Sequence, residues 1–357
     1  MSSLSTQFSL SRLNLPQATK YLLLTLSGVS SLLLFLKYRM YNDLIAIGET
    51  DIEFDKIVVP YLQLIPNHTL LHPWTVITSI FIETKVWKYF ISVLISYFAG
   101  KFIERSWSSK ELIKFVILIG GVTNLLVSLS LIISNIIFQL HYFNVPVDGN
   151  ISLLVGFLVV FKQLIPEHSL VLFKGAIHAR VKHIPFLVLL GLTVFSIATF
   201  SPTPFYQSWI GFLVSWAYLR FYQSNIIDPL LPQPNDVIGV QRLKGDASET
   251  FSLVHFFPDA LAPILSPIFD QFYEIFVQLG LLSRFNDSEI EQSNLIANRR
   301  LTGQQQAQQL DSRSAAERRR QVALKVLEER IGEDPNSKKQ SPTEIGVAAS
   351  SQDEVSA

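Results

Sequence analysis

Long apolar runs separated by shorter polar connections dominate the first two-thirds of the chain. A helix rises about 1.5 Å per residue and pairs its own backbone groups, so about twenty apolar residues cross a hydrocarbon core. Runs of this kind occupy residues 17–36, 86–102, 112–138, 151–161, 184–200 and 205–222. They predict an all-α polytopic membrane protein with a core of six helices. The fourth run has two readings. Eleven apolar residues are too few to span alone, so 151–161 is either re-entrant, or a span whose ends, 147–150 and 162–164, are shielded by neighbouring helices or face a wet cavity.

Polar residues between the runs set an orientation, because cytosolic connections are enriched in Lys and Arg. Lys101, Arg105 and Lys110 follow the second run, and Lys162, Lys174, Arg180 and Lys182 follow the fourth. Segments 139–148 and 201–204 contain neither residue type. This alternation places both termini in the cytosol. The long first loop, 37–85, has Lys37, Arg39, Lys56 and Lys85 but also six acids, and is assigned to the lumen. Within it, 70–82 is apolar, contains His72-Pro73-Trp74, and reads as an interfacial or half-inserted hairpin. Asn67-His68-Thr69 is a glycosylation sequon on that side. The first run ends at Lys37-Tyr38-Arg39 rather than at a small-residue cleavage site, and so reads as a signal anchor.

Past Tyr222 the texture changes. Pro229, Pro232 and Pro234 mark a linker, and 260–282 is apolar with Pro263 and Pro267 inside it. These prolines are expected to break the segment, which favours a surface-lying amphipathic stretch over a seventh span. Residues 312–333 read as a charged helix and 334–357 as disordered. The expected domains are thus a cytosolic segment 1–16, a transmembrane domain 17–223, a cytosolic tail 224–333 and a disordered end 334–357.

Composition agrees and excludes several chemistries. Charged residues are 16% of the chain, against about 25% in globular domains. Residues 112–137 hold one charge, Lys114, whereas 311–333 hold eleven. Net charge is zero, which gives no reason to expect nucleic acid. With no cysteine, disulfides, thiolate metal sites, a cysteine nucleophile and S-palmitoylation are excluded. The histidines His72, His141, His168, His178 and His183 are scattered. The last two are five apart, off the i, i+4 spacing that shares a helical face, and no metal or cofactor is expected.

Several residues fall in a familiar order. His72-Pro73-Trp74, Gly100-Lys101-Phe102-Ile103-Glu104-Arg105-Ser106-Trp107, a short fourth helix opening at Gly149, and Gly211-Phe212-Leu213-Val214-Ser215 together resemble the rhomboid superfamily. Two further stretches are similar to its transmembrane protein 115 family. They are Ser215-Trp216-Ala217-Tyr218-Leu219-Arg220-Phe221-Tyr222-Gln223 and Ala316-Glu317-Arg318-Arg319-Arg320-Gln321-Val322-Ala323-Leu324-Lys325-Val326-Leu327-Glu328-Glu329-Arg330. The resemblance implies a six-helix rhomboid-like core, residence in the Golgi membrane, and a role in trafficking from Golgi to endoplasmic reticulum. It also implies what a protease of that fold needs: a serine at the start of the fourth helix and a histidine on the sixth. Here the serine slot holds Ile151 and the histidine slot, counted back from Gly211, holds Ser208. Ser152 follows one residue later, about 100° around the helix, and no histidine lies between His183 and His255. A serine hydroxyl without an adjacent base is a poor nucleophile, so no enzyme is expected.

The residues expected to matter are structural ones, Glu104, Arg105, Trp107, Gly149, Gly211 and Ser215. Gly211 and Ser215 form a pair of small residues that lets helices approach. In the tail, Arg318, Arg319 and Arg320 are suited to anionic lipid, and Leu324 and Leu327 to a partner helix. Expected partners are membrane lipids, transmembrane clients, cytosolic trafficking or tethering machinery and, as an option, further copies of the chain. The alternative function is local bilayer remodelling that eases lipid or client movement.

Overall fold

The computed structural model describes residues 15–48, 53–138, 145–165, 169–172, 177–180, 183–226, 242–280 and 282–302, and beyond them Glu317, Arg320, Gln321, Ala323 and Leu324. Residues up to Leu301 form one compact unit and those from Thr302 a second. The protein is an all-α membrane protein. Its apolar runs fold as α1 (Gln17–Ala46), α3 (Val86–Ser106), α4 (Ser109–Phe138), α5 (Ile151–Leu164), α6 (Ile184–Ala198) and α7 (Thr203–Ala217). A short helix, α2 (Thr75–Thr78), lies in the first loop, and α8 (Ala262–Gln278) and α9 (residues 287–302) follow the core. Two small antiparallel pairs sit in the connections: β1 (Ser169–Leu172) with β2 (Ile177–Arg180), and β3 (Ser224–Ile226) with β4 (Arg242–Lys244).

Helix and apolar run are not the same length. The helix α1 continues ten residues past Leu36, and Lys37, expected to open the first loop, is a buried residue within it. Helical hydrogen bonding does not stop where hydrophobicity does. Similarly, α5 extends to Leu164, and α7 passes into a π-helical turn over Tyr218–Tyr222. The expected breaks in 260–282 are absent, because α8 runs continuously through Pro267. Pro263 stands in the first turn, where the missing N–H had no helical partner anyway, and Pro267 removes one hydrogen bond from a 17-residue helix. No residue of α8 is buried. Ile264, Ile268, Phe272, Ile275 and Leu279 share an exposed apolar face, with Asp270 and Glu274, spaced four apart, on the other side of the helix.

The fourth run is the centre of the molecule. Nine of the 14 residues of α5 are buried, and α3, α4, α6 and α7 all pack on it. Its surroundings are therefore other helices, which is compatible with both readings of the short run. By contrast, α1, α3 and α4 are long and apolar enough to cross a membrane alone and expose outward-facing residues such as Leu24, Phe90, Phe98 and Ile133. Lipid tails are as apolar as leucine, so helix association here depends on close packing rather than on escape from water. The core shows that packing: Phe115 lies against Phe157, Trp107 and Tyr218 at 6.2, 5.5 and 6.0 Å between ring centres.

Candidate functional site

The closest helix contact is between α5 and α7. A Cβ on Gly211 would come 2.9 Å from Ser152 Cα, and one on Gly156 would come 2.6 Å from Ser215 Oγ. Ser152 and Gly156 on α5 thus face Gly211 and Ser215 on α7, each helix offering two small residues one turn apart. Ser215 Oγ has no hydrogen-bond partner, so this contact is steric. Trp107 closes the end of the core beside it, against Phe115.

Two carboxylates, one at each end of α3, hold the helix ends. Glu104 accepts the backbone N–H groups of Ala18 and Thr19 at 2.8 and 2.7 Å, the Thr19 hydroxyl at 2.7 Å and the Ser109 hydroxyl at 2.6 Å. The first N–H groups of a helix have no internal partner and carry its positive dipole end, so a carboxylate there satisfies both. Pro16, at the N-cap of α1, cannot supply a side-chain cap, and Glu104 does so from 85 residues away. Arg105 is exposed beside it. At the opposite end, Glu83 accepts the Ser92 hydroxyl at 2.6 Å and the Asn150 N–H at 3.0 Å. Burial raises the Glu83 pKa, against the pull of those two bonds. Gly149 adopts φ +110°, a left-handed conformation that glycine takes without strain. It leads the chain over Glu83, whose carboxylate would lie 3.4 Å from any added Cβ.

The serine and histidine slots lie at this Glu83 end. Ile151 is half-buried and Ser208 is fully buried, donating to the Phe205 carbonyl at 3.0 Å. Above them opens a polar cavity of about 340 Å³, lined by Lys37, Lys85, Lys88, Asp55, Asp148 and Gln207 among others. Asp148 accepts a hydrogen bond from the Gln63 amide, and the Val147 N–H is bonded to the Leu64 carbonyl at 2.7 Å. Burial pushes the Asp148 carboxyl up to about 7, with Gln63 and Lys37 opposing the rise. Below, an apolar groove of about 510 Å³ runs between α3, α5 and α6.

At the Glu104 end a second hub is Asp246. Its carboxylate accepts from Gln163 at 3.0 Å, from the Ser248 N–H at 3.1 Å and from the Ser248 hydroxyl at 2.6 Å, and lies 3.7 Å from Arg300 of α9. Arg220, in the π turn of α7, donates to the Asp246 and Ser248 carbonyls at 3.0 and 2.6 Å. Trp216 donates to the Phe251 carbonyl at 3.1 Å, and the Lys162 ammonium sits 3.4 Å over the Phe256 ring. The segment after α7 is therefore bound to the ends of α5 and α7. Of the tail residues, Arg320 and Leu324 are helical and exposed, while Arg318, Arg319 and Leu327 lie outside the described residues.

Four residues that organise these sites carried no special signal in the sequence. Glu83 and Asp148 read as loop charges, and Lys37 as the polar flank of a span. Asp246 followed a proline-rich stretch that reads as linker.

Residues 20–333 match the family described as eukaryotic integral membrane protein (DUF1751). The chain belongs to this family. It is 35% identical over 326 residues to "Transmembrane protein 115 homolog" of Saccharomyces cerevisiae, covering 89% of this chain and 93% of that one. It is 30% identical to "Rhomboid-like protein 19" of Arabidopsis thaliana, over 81% of this chain and 86% of that one. With "Transmembrane protein 115" of Homo sapiens the identity is 28%, over 77% and 71%. No solved structure matches the chain significantly. The family member described here is thus a rhomboid-like integral membrane protein, and its relatives are named as transmembrane or rhomboid-like proteins, not as proteases.

Proposed function

We propose that this family member is a non-proteolytic membrane scaffold of the Golgi, with both termini in the cytosol, that acts in vesicular transport from Golgi to endoplasmic reticulum. The observation that carries the non-proteolytic reading is the state of the α5–α7 contact. Ile151 and Ser208 occupy the slots of nucleophile and base, and the backbone of Ser152 is pressed against Gly211. Neither α5 nor α7 contains a histidine. General-base catalysis needs a base within hydrogen-bond reach of the hydroxyl, and these helices supply none.

The trafficking reading draws on the resemblance of the 215–223 and 316–330 stretches to the transmembrane protein 115 family. The membrane core holds transmembrane clients by helix packing, and the tail engages tethering machinery. Anchoring of the post-α7 segment through Asp246, Arg220 and Arg300 gives the tail a fixed point of departure. The test is complementation of cells lacking their own family member. Full-length protein restores retrieval of a Golgi-to-endoplasmic-reticulum reporter. A version with residues 312–333 replaced by a Gly/Ser linker reaches the Golgi but does not restore retrieval. Full retrieval by that version would sink the tail's part in the reading.

A second reading, bilayer remodelling, is favoured by helix length. At 14 and 15 residues, α5 and α6 are about 21–23 Å long, against about 30 Å of hydrocarbon. Bilayer adapting to short elements thins locally. On this reading the tail-replaced version keeps its activity.

A further inference from the structure

The polar cavity and the apolar groove adjoin, since Lys88, Ile151 and Phe195 line both. Their chemistry is split. The cavity presents three ammonium groups, on Lys37, Lys85 and Lys88, facing Asp148 and Asp55. Among the described residues none of the three lysines, nor Asp148, makes an ion pair. Lys37 is only 4% exposed and Gln207 is fully buried. Asp148 Oδ1, Gln207 Oε1 and Thr203 Oγ1 are buried without hydrogen-bond partners. Buried polar atoms are normally hydrogen-bonded, and these three are free to bond a ligand in the cavity. The lysines call for an anion, and the two orphan acceptors, Asp148 Oδ1 and Gln207 Oε1, call for N–H or O–H donors.

Shape limits the rest of the ligand. The groove is lined by Trp87, Ile91 and Ile95 of α3, Leu158 of α5, and Val188 and Leu192 of α6. From Trp87 to Ile95 it descends about 12 Å along the helix axis. A narrow apolar groove of that length matches an extended acyl chain.

We propose that cavity and groove together bind one phospholipid with a primary-ammonium headgroup, its phosphate on Lys37, Lys85 and Lys88, its ammonium on Asp148 and Gln207, and an acyl chain along α3. A choline headgroup carries the same phosphate but has no N–H to donate, so it leaves both acceptors unpaired. The site is independent of the trafficking reading and survives its failure.

The test uses full-length protein in bilayers containing lipids brominated in the acyl chain. Bromine quenches indole fluorescence at contact, and the difference between wild type and W87F isolates Trp87 in the groove. Phosphatidylethanolamine quenches Trp87 at least threefold more effectively than phosphatidylcholine at equal mole fraction. D148N, and Q207L as the variant that keeps the charge, bring the two lipids to equal quenching. K88Q lowers quenching by both. Soluble phosphoethanolamine and inorganic phosphate, added at millimolar concentration, do not compete, because neither fills the groove. Equal quenching by both lipids in the wild type would overturn the proposal, leaving only general lipid contact. Selectivity unchanged in both D148N and Q207L would overturn it as well. So would competition by inorganic phosphate alone, or relief of quenching by an apolar transmembrane peptide that carries no headgroup.

Discussion

At the scale of single residues, the two carboxylates near the ends of α3 do more than their positions in the sequence suggest. Glu104 was legible as a residue at the end of a helix and inside a familiar order. Its partners were not, because Ala18 and Thr19 are 85 or more residues away and reach it only once α1 is packed on α3. Replacing it strands two helix-terminal N–H groups, and charge-assisted bonds contribute about 1.5–3 kcal/mol each. E104A is therefore expected to lose at least about 3 kcal/mol of stability, read as a lower thermal midpoint of the detergent-solubilised protein. R105A, at an exposed neighbour, is expected to leave that midpoint within about 0.5 kcal/mol. At the opposite end, Asp148 and Glu83 both have pKa values raised by burial. The groups facing them are Lys37 of α1, Lys88 of α3, and Gln63. The native state then holds protons that an unfolded chain releases, so stability falls as pH rises from the ordinary carboxyl value of 3.8 to about 7 for Asp148 and flattens above. D148N is expected to remove most of that slope, measured as thermal midpoint against pH.

At the scale of elements, the closest approach in the bundle was readable and the reason for the short fourth helix was not. The spacing of Gly211 and Ser215 marks a face that lets another helix in. The sequence leaves open which helix that is, and α5 answers with Ser152 and Gly156. Eleven apolar residues were ambiguous because hydrophobicity measures what surrounds a helix only when that is lipid. For α5 it is four other helices. Added bulk at this contact has nowhere to go. G211V meets the Ser152 backbone, and overpacking of this kind costs about 1–3 kcal/mol or more. G156A clashes with the Ser215 hydroxyl and makes ordinary contacts with Phe115 and Ile119, so its cost is expected to fall by at least half in an S215A background. A double-mutant cycle on thermal midpoints measures this coupling. The prolines of α8 misled for a related reason: one sits where a helix has no hydrogen bond to lose, and one lost bond does not end a 17-residue helix.

At the scale of the whole molecule, six helices, a loop with exposed apolar tips at Leu70, Leu71 and Trp74, and a bound post-α7 segment make one unit. The fold class was legible from the apolar runs alone, and the family from the longer motifs. The cavity was not, because its lysines and acids come from α1, α3 and two loops, and Gln207 from α7, which only the fold brings together. Detaching the segment after α7 tests how far it belongs to the core. R300E places a second carboxylate beside Asp246 and is expected to raise cleavage by added protease between 245 and 300, with α1 to α7 left intact on a gel.

The account rests most heavily on a rhomboid-like core whose six spans leave both ends in the cytosol. The native chain has no cysteine, so single reporters read topology directly. S5C, R105C, G175C and L324C would be labelled by an impermeant thiol reagent from the cytosolic side, and N67C, Y142C and F200C would not. The account predicts that pattern. Protection of L324C alongside labelling of R105C would contradict it, since an odd number of crossings would then separate them. The tail could not meet cytosolic machinery, and α5 or α8 would need a different place in the membrane.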